Sequence, residues 1–563
     1  MSVLSRTRIA GALASAWIGS IAIAHARQVE LVSLDSSGVQ GNGESFGTAL
    51  SQDGRYVAFI SFANNLVSGD TYGKSDLFVR DRTTGVTERV SVSSSGHQCN
   101  EGIDIASGSM PFAISADGQV VAFASPSTNL VSGDRNYRCD VFVRDRRTGV
   151  TERVSVDSSG IEGDKDSYAA SISADGRFVA FESDATNLVS NDLNGAEDVF
   201  VRDRATGVTT LVSIDSSGHA ADSSSFNPVI SADGNVVTFC SVATNLVAND
   251  TNAFADVFCH DLATGATERI SVSTAGTESD ADSWQPATSS DGSVVAFMSR
   301  ATNLVAYDTN QKWDAFVRDR TTGVTERVSV DSTGAEAAGW TLSVSISGDG
   351  RCVSFDNDAA NLVPGDTNSS WDVFLHDRVG GRTLRISTDS SGAQTGGGRG
   401  PTISANSNVI GFSSDASDLV AGDVNGHWDV FVHDHCAFAS WTNYGTGVAG
   451  TNGIPSLTSQ GDPALGSTTT VDVANSLGQP TAGLLLLGFQ RANVVTSLGG
   501  TLLVLPSLVT PITFSYGFDS FSAAIPNDVT LAGIVVDLQV VEADPGAVKG
   551  ASFTPGIELV LGN

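Results

Sequence analysis

Along this chain one clause is spelled out seven times: an aspartate and an asparagine in a polar loop, then an aspartate that opens a strand, D-x-N-x-x-x-D. The strand-opening residues are Asp76, Asp140, Asp198, Asp256, Asp314, Asp372 and Asp429, a period of 58 residues with one insertion of six and one deletion of one. A repeated unit of this length cannot bury its apolar face alone, so successive copies must stack on one another. That requirement constrains the fold before any single residue is interpreted.

The third copy shows what one unit builds. S-I-S-A-D-G-R-F-V-A-F, from Ser171, reads as two short apolar runs joined through Asp-Gly, which is a hairpin signal. A loop of Asn, Asp and Gly follows. D-V-F-V-R-D-R-A-T-G-V-T-T-L-V-S-I then makes a second hairpin around Thr-Gly. Four antiparallel strands per unit, with no helical period, predict an all-β propeller of seven four-stranded blades. The outermost strand is missing after Asp434, while a strand of that type, Val29 to Leu34, stands alone near the N-terminus. It is expected to complete the last blade and close the ring, which removes the exposed edges of an open array.

S-x-D-G-x-x-V-A-F, followed by D-V-F-V-R-D and T-x-R-V-S-V, resembles the repeat of TolB-like, WD-repeat-like β-propellers over about residues 28 to 435. The resemblance implies the fold. It leaves function open, because such propellers include binding scaffolds, a translocation component and modules attached to peptidases. From Phe438 the repeat is gone, and short strands broken by Gly, Pro and Asn predict a C-terminal β-sandwich similar to modules of exported bacterial proteins. The expected division is therefore a leader over 1–26, a propeller over 27–437 and a sandwich over 438–563.

Strand order assigns faces. The S-x-D-G and T-G turns share one side of the ring, and the aspartate loops and variable linkers share the other, where function is expected. Six loops follow the clause fully: Asp134, Asn136, Asp140; Asp192, Asn194, Asp198; Asp250, Asn252, Asp256; Asp308, Asn310, Asp314; Asp366, Asn368, Asp372; and Asp423, Asn425, Asp429. The first copy has Tyr72 between Asp70 and Asp76. Two readings stand. Oxygens at alternating positions of a tight loop suit calcium, so these residues are candidate calcium ligands. The same side chains can also hold the loop's shape by accepting main-chain amides, with no metal.

A second candidate set lies where the chain enters each blade: Phe46, Met110, Tyr168, Phe226, Trp284, Leu342 and Arg399. Of these, Phe46, Tyr168, Phe226 and Trp284 are the expected contacts for a glycan or peptide. Catalytic signals are weak. Gly43-Glu44-Ser45-Phe46-Gly47 matches G-x-S-x-G but lies in a linker and not on a strand-to-helix elbow. His427, His433, His435 and Cys436 cluster in the last blade, where an exposed blade end is the simpler expectation and a metal the other.

Composition narrows the partners. With 31 Lys plus Arg against 63 Asp plus Glu, the net charge is −32, which disfavours nucleic acid and anionic membranes. Divalent cations and neutral glycans suit such a chain better. Arg6 and Arg8, the apolar run from Ile9 to Ala24, and Ala24-His25-Ala26 predict a secretory signal peptide, with no membrane-spanning segment in the mature chain. Export makes disulfides possible among the six cysteines, and Cys240 with Cys259 is the favoured pair. The expected protein is thus periplasmic, surface-bound or extracellular, a binding or scaffolding propeller for a protein or glycan. The alternative is a polysaccharide-degrading hydrolase or lyase using the acidic loop face.

Overall fold

A computed structural model describes residues 28–104, 111–435 and the greater part of 440–560. The chain divides into two compact units: Gln28–His435, and Cys436–Asn563 grouped with Met1–Arg27, the latter outside the described residues.

Gln28–His435 forms seven four-stranded antiparallel sheets, the blades of a propeller. In blade 3 the strands run Ser167–Ile172, Phe178–Ser183, Asp198–Asp203 and Val208–Leu211, each hydrogen-bonded to the next. The other five consecutive blades repeat this order, and their first strands touch those of their neighbours. The seventh is composite. Arg399–Ile403, Val409–Ser414 and Asp429–Asp434 are joined by Gln28–Leu31, which pairs antiparallel with the third strand, Val29 opposite His433. The closure expected from Val29–Leu34 is what the structure shows.

Each blade is covered on both faces by its neighbours, so its middle strands are buried along most of their length, and along all of it in V-V-A-F-A-S at Val120–Ser125. This explains why these strands are nearly continuous apolar runs and do not alternate. The phenylalanine of the second strand lies opposite that of the third in every blade. Phe59 and Phe78 have ring centroids 5.8 Å apart, and Phe412 and Phe431 5.9 Å.

The turn side is regular. In Ser51–Arg55 the serine hydroxyl donates to Asp53 at 2.8 Å and accepts the Tyr56 amide at 2.9 Å, while Gly54 takes φ +71°. The equivalent Gly118 leaves no room for a side chain, since a Cβ would lie 2.2 Å from the Tyr56 ring of the preceding blade. Main-chain bonds link each such turn to the next, from Gln52 N to Ala116 O through to Gly348 N to Ala405 O. Asn406 N to Gln52 O then completes the circle at 3.3 Å.

In the C-terminal unit a larger sheet contains, in order, Ser440–Tyr444, Gly556–Val560, Val535–Ala543, Thr481–Gly488 and Leu508–Phe514. A second sheet contains Ser456–Gln460, Thr468–Ala474 and Phe518–Ala524. Leu457, Val471 and Val473 of the second share one apolar core with Leu485, Val540 and Ile557 of the first, which makes a sandwich. Among the described residues no helix is long and apolar enough to cross a membrane.

Candidate functional site

The aspartate that opens each third strand is fully buried, and in blade 2 burial pushes the Asp140 carboxyl up. Hydrogen bonds hold it. In blade 2, Ser155 donates to Asp140 Oδ1 at 2.5 Å, and Asn136 Nδ2 donates to Oδ2 at 3.1 Å. The same asparagine donates to the carbonyl of Gly163 in the linker, and its own oxygen accepts the Arg138 amide, both at 3.0 Å. Asn194, Asn252, Asn310 and Asn425 repeat these three roles. In blade 6, Asn368 binds the carbonyl of Thr395 and the amide of Ser370. The asparagine oxygen therefore caps its own loop. The residue after it lies in the left-handed region, as Gly195 and Gly426 but also as Tyr137 (φ 55°), Ala253 (56°), Gln311 (56°) and Ser369 (53°).

The two aspartates of each clause converge, and in five blades one arginine lies between them. Arg153 Nη1 is 3.0 Å from Asp140 and 3.5 Å from Asp134. Arg89, Arg269, Arg327 and Arg385 do the same for Asp70 and Asp76, Asp250 and Asp256, Asp308 and Asp314, and Asp366 and Asp372. A linker residue adds to the cluster. It is a glutamate on the arginine in blades 2, 4 and 5 (Glu162, Glu278, Glu336), and a glutamine donating to the aspartates in blades 1, 6 and 7 (Gln98, Gln394, Gln40). Asp308, Asp314 and Glu336 come close enough together to share one ion, and the Arg327 guanidinium lies among them. Burial raises Asp308 to about 7 and Asp314 to about 6.

These arginines sit in the fourth strand, 13 residues after the aspartate, and sequence reasoning passed over them. Cross-strand pairing brings them in, Phe142 opposite Arg153. Lining up the repeats and asking which charged positions vary together would have found them.

The predicted ligand-contact residues stand at the loop-side end of the first strands, where a bulge interrupts the pairing. Phe46, Tyr168 and Phe226 pack partly against the cores between blades. Trp284 is 41% exposed and meets Trp313 at 5.5 Å. Met110 lies outside the described residues. An arc of aromatic and cationic groups, of which the sequence pointed only to Trp284 and Arg399, runs across blades 5 to 7. Arg300 lies over Trp313 at 5.3 Å, Lys312 over Trp340 at 5.5 Å and Arg399 over Trp371 at 4.9 Å. Blade 3 is acidic instead. Glu197 stands where blades 5 to 7 carry Trp313, Trp371 and Trp428, and burial beside Glu182 pushes it up to about 8.

Two expectations are corrected. His433 and His435 are buried, at 2% and 3% exposure, and not at an exposed blade end. They lie where the third strand runs toward the turn side, away from Asp429 at its loop end, so they do not converge with the loop carboxylates. Cys240 and Cys259 are free, buried thiols. Their strands pair with Cys240 opposite Val257 and Cys259 opposite Thr238, so the two are offset and both join the apolar core. Ser45 of the G-x-S-x-G string is fully buried and bonded to Ser61 at 2.8 Å.

The molecule is thus a seven-bladed β-propeller with the TolB-like, WD-repeat-like blade pattern, followed by a β-sandwich. No family model matches the chain, and no curated protein matches it. Solved structures similar to it match at low identity. A TolB-type protein of Agrobacterium tumefaciens is 17% identical, with a TM-score of 0.32 over 51% of this chain and 80% of that one. The WD40 repeats of RRP9 are 8% identical, at 0.37 over 73% and 99%. A periplasmic gluconolactonase of Pseudomonas aeruginosa is 17% identical, at 0.29 over 60% and 82%.

Proposed function

We propose that this protein is an exported, non-enzymatic binding or scaffolding propeller that takes a glycan on its loop-bearing face. The observation that carries the reading is the arc of Trp284, Trp313, Trp340 and Trp371 with Arg300, Lys312 and Arg399 on blades 5 to 7. Half-exposed indoles offer flat apolar faces to sugar rings, and the flanking cations and carboxylates offer hydrogen bonds to hydroxyls. Export is supported by the basic and apolar leader that ends at Ala26. N-terminal sequencing of the mature chain should begin near Arg27.

The test is a glycan array followed by titration calorimetry with Trp284→Ala and Trp371→Ala. A glycan bound by the wild type and at least tenfold weaker in both variants supports the reading. Binding that both variants leave intact, or partners that are all proteins held elsewhere, overturns it.

A further inference from the structure

Blade 3 keeps the aspartate pair and loses both residues that bridge it in other blades. Leu211 stands where five blades carry the bridging arginine, in the same register, Phe200 opposite Leu211 as Phe142 is opposite Arg153. Ala220 stands where the other six blades carry the linker glutamate or glutamine. Blade 7 also lacks the arginine, having Leu31, but there Gln40 Nε2 donates to both acids, 2.8 Å to Asp423 and 2.7 Å to Asp429. Blade 3 has no such bridge. Asp192 is 6% exposed, and no side chain donates to either of its carboxylate oxygens, the main-chain amide of Asn194 being the group that faces them. Asp198 is fully buried beside it, holding Ser213 at 2.6 Å on one oxygen and Asn194 at 2.8 Å on the other. Lys165 is the nearest cation, acting on Asp192 through space without an ion pair.

The five bridged blades show that these two positions flank one cation-sized place, which in each of them a single guanidinium nitrogen fills at 3.0 to 4.0 Å from both acids. We propose that in blade 3 Asp192 and Asp198 hold one divalent metal ion, of the calcium class, in the place the arginine fills elsewhere. Two carboxylates match its charge and its preference for oxygen, and water or main-chain carbonyls complete the shell. The site is independent of the glycan reading and lies in a different blade from the aromatic arc. The expectation of calcium in six loops is thereby narrowed to the one loop that has neither a bridging arginine nor a bridging glutamine.

The test uses the full mature chain, treated with chelator and then titrated with calcium chloride by calorimetry and native mass spectrometry. One calcium per chain is expected, with a melting temperature that rises on addition. Asp192→Asn should weaken binding at least tenfold. Leu211→Arg, which installs the arginine of the other blades, should abolish both the binding and the calcium-dependent rise while the chain stays folded. Should that variant not fold, Asp192→Asn decides alone. A wild type indifferent to 10 mM calcium (about tenfold above the weak limit of protein calcium sites, ~1 mM) overturns the proposal. So does one-to-one binding that survives both substitutions, which places the ion elsewhere. A wild type that ignores calcium but is destabilised by Lys165→Met identifies the lysine as the counter-ion and also overturns it.

Discussion

At the residue scale the clause D-x-N-x-x-x-D is two devices in one. The asparagine shapes the loop, and the aspartates make a charge that something must balance. Where the balance is an arginine, removing it should be costly: Arg153→Leu, which copies the blade 3 pattern into blade 2, is expected to destabilise the fold by about 3–5 kcal/mol, read by denaturant unfolding. The left-handed position after the asparagine gives the opposite sign. Gln311, at φ 56°, bears a side chain where Gly195 and Gly426 bear none, so Gln311→Gly should stabilise by about 1 kcal/mol.

Histidine introduces a pH response. His260 and His376 occupy the place of Arg80 in other blades, buried against Thr267 and Thr383 at 2.8 and 2.9 Å, and burial lowers their pKa below 6.5. A lowered histidine pKa favours the neutral ring in the folded state. Its contribution is present above pH 6.5 and lost as pH falls through 6.5 toward the folded value. Melting of the wild type should therefore drop more steeply between pH 6.5 and 5 than melting of a His260→Gln, His376→Gln double variant.

At the element scale, the blade is a sheet dry on both faces, pinned by one phenylalanine pair. Phe200→Ala should cost about 3–5 kcal/mol by urea unfolding, the usual penalty for emptying a large aromatic site. The strands and turns were legible in the sequence because each is signalled locally. Asp53-Gly54 marks a hairpin, and Val57 to Phe59 marks a buried run. The aspartate loops were legible for the same reason, since their residues are neighbours in the chain. What joins them to Arg153, Glu162 or Ser155 was not. Those contacts cross from the third strand to the fourth or to the linker, and their spacing has no meaning until the strands are paired. The aromatic arc was half legible. Trp284 was singled out by position, whereas Trp313 and Trp371 precede a strand-opening aspartate in some blades only, so no period announced them.

At the scale of the whole molecule, neighbouring blades are tied by an arginine after the third strand and a glutamate in the preceding fourth strand, as in Arg204 with Glu152 at 2.6 Å. The tie is replaced by Thr210 and Leu262 between blades 3 and 4, and by Leu384 and His435 between blades 6 and 7. At the closure the tie is doubled: Arg82 reaches Glu30 at 2.9 Å and Asp434 at 2.8 Å. Arg82→Ala should loosen the ring by about 1.5–3 kcal/mol, the worth of charged hydrogen bonds that are only partly screened, seen as faster hydrogen exchange in Gln28–Leu31 before any other strand.

The closing strand also sets an order of events in time. Gln28–Leu31 leaves the ribosome well before its partner Asp429–Asp434, which is made some 400 residues later. At about 5–20 residues per second, that is a wait of roughly 20–80 seconds. Throughout it, blades 1 to 6 can assemble while a short β segment stays unpaired, and the last blade cannot be finished until both ends of the ring are on the same side of any membrane. The ring therefore closes only after its last blade is made, and until then the chain carries an open edge that closure removes.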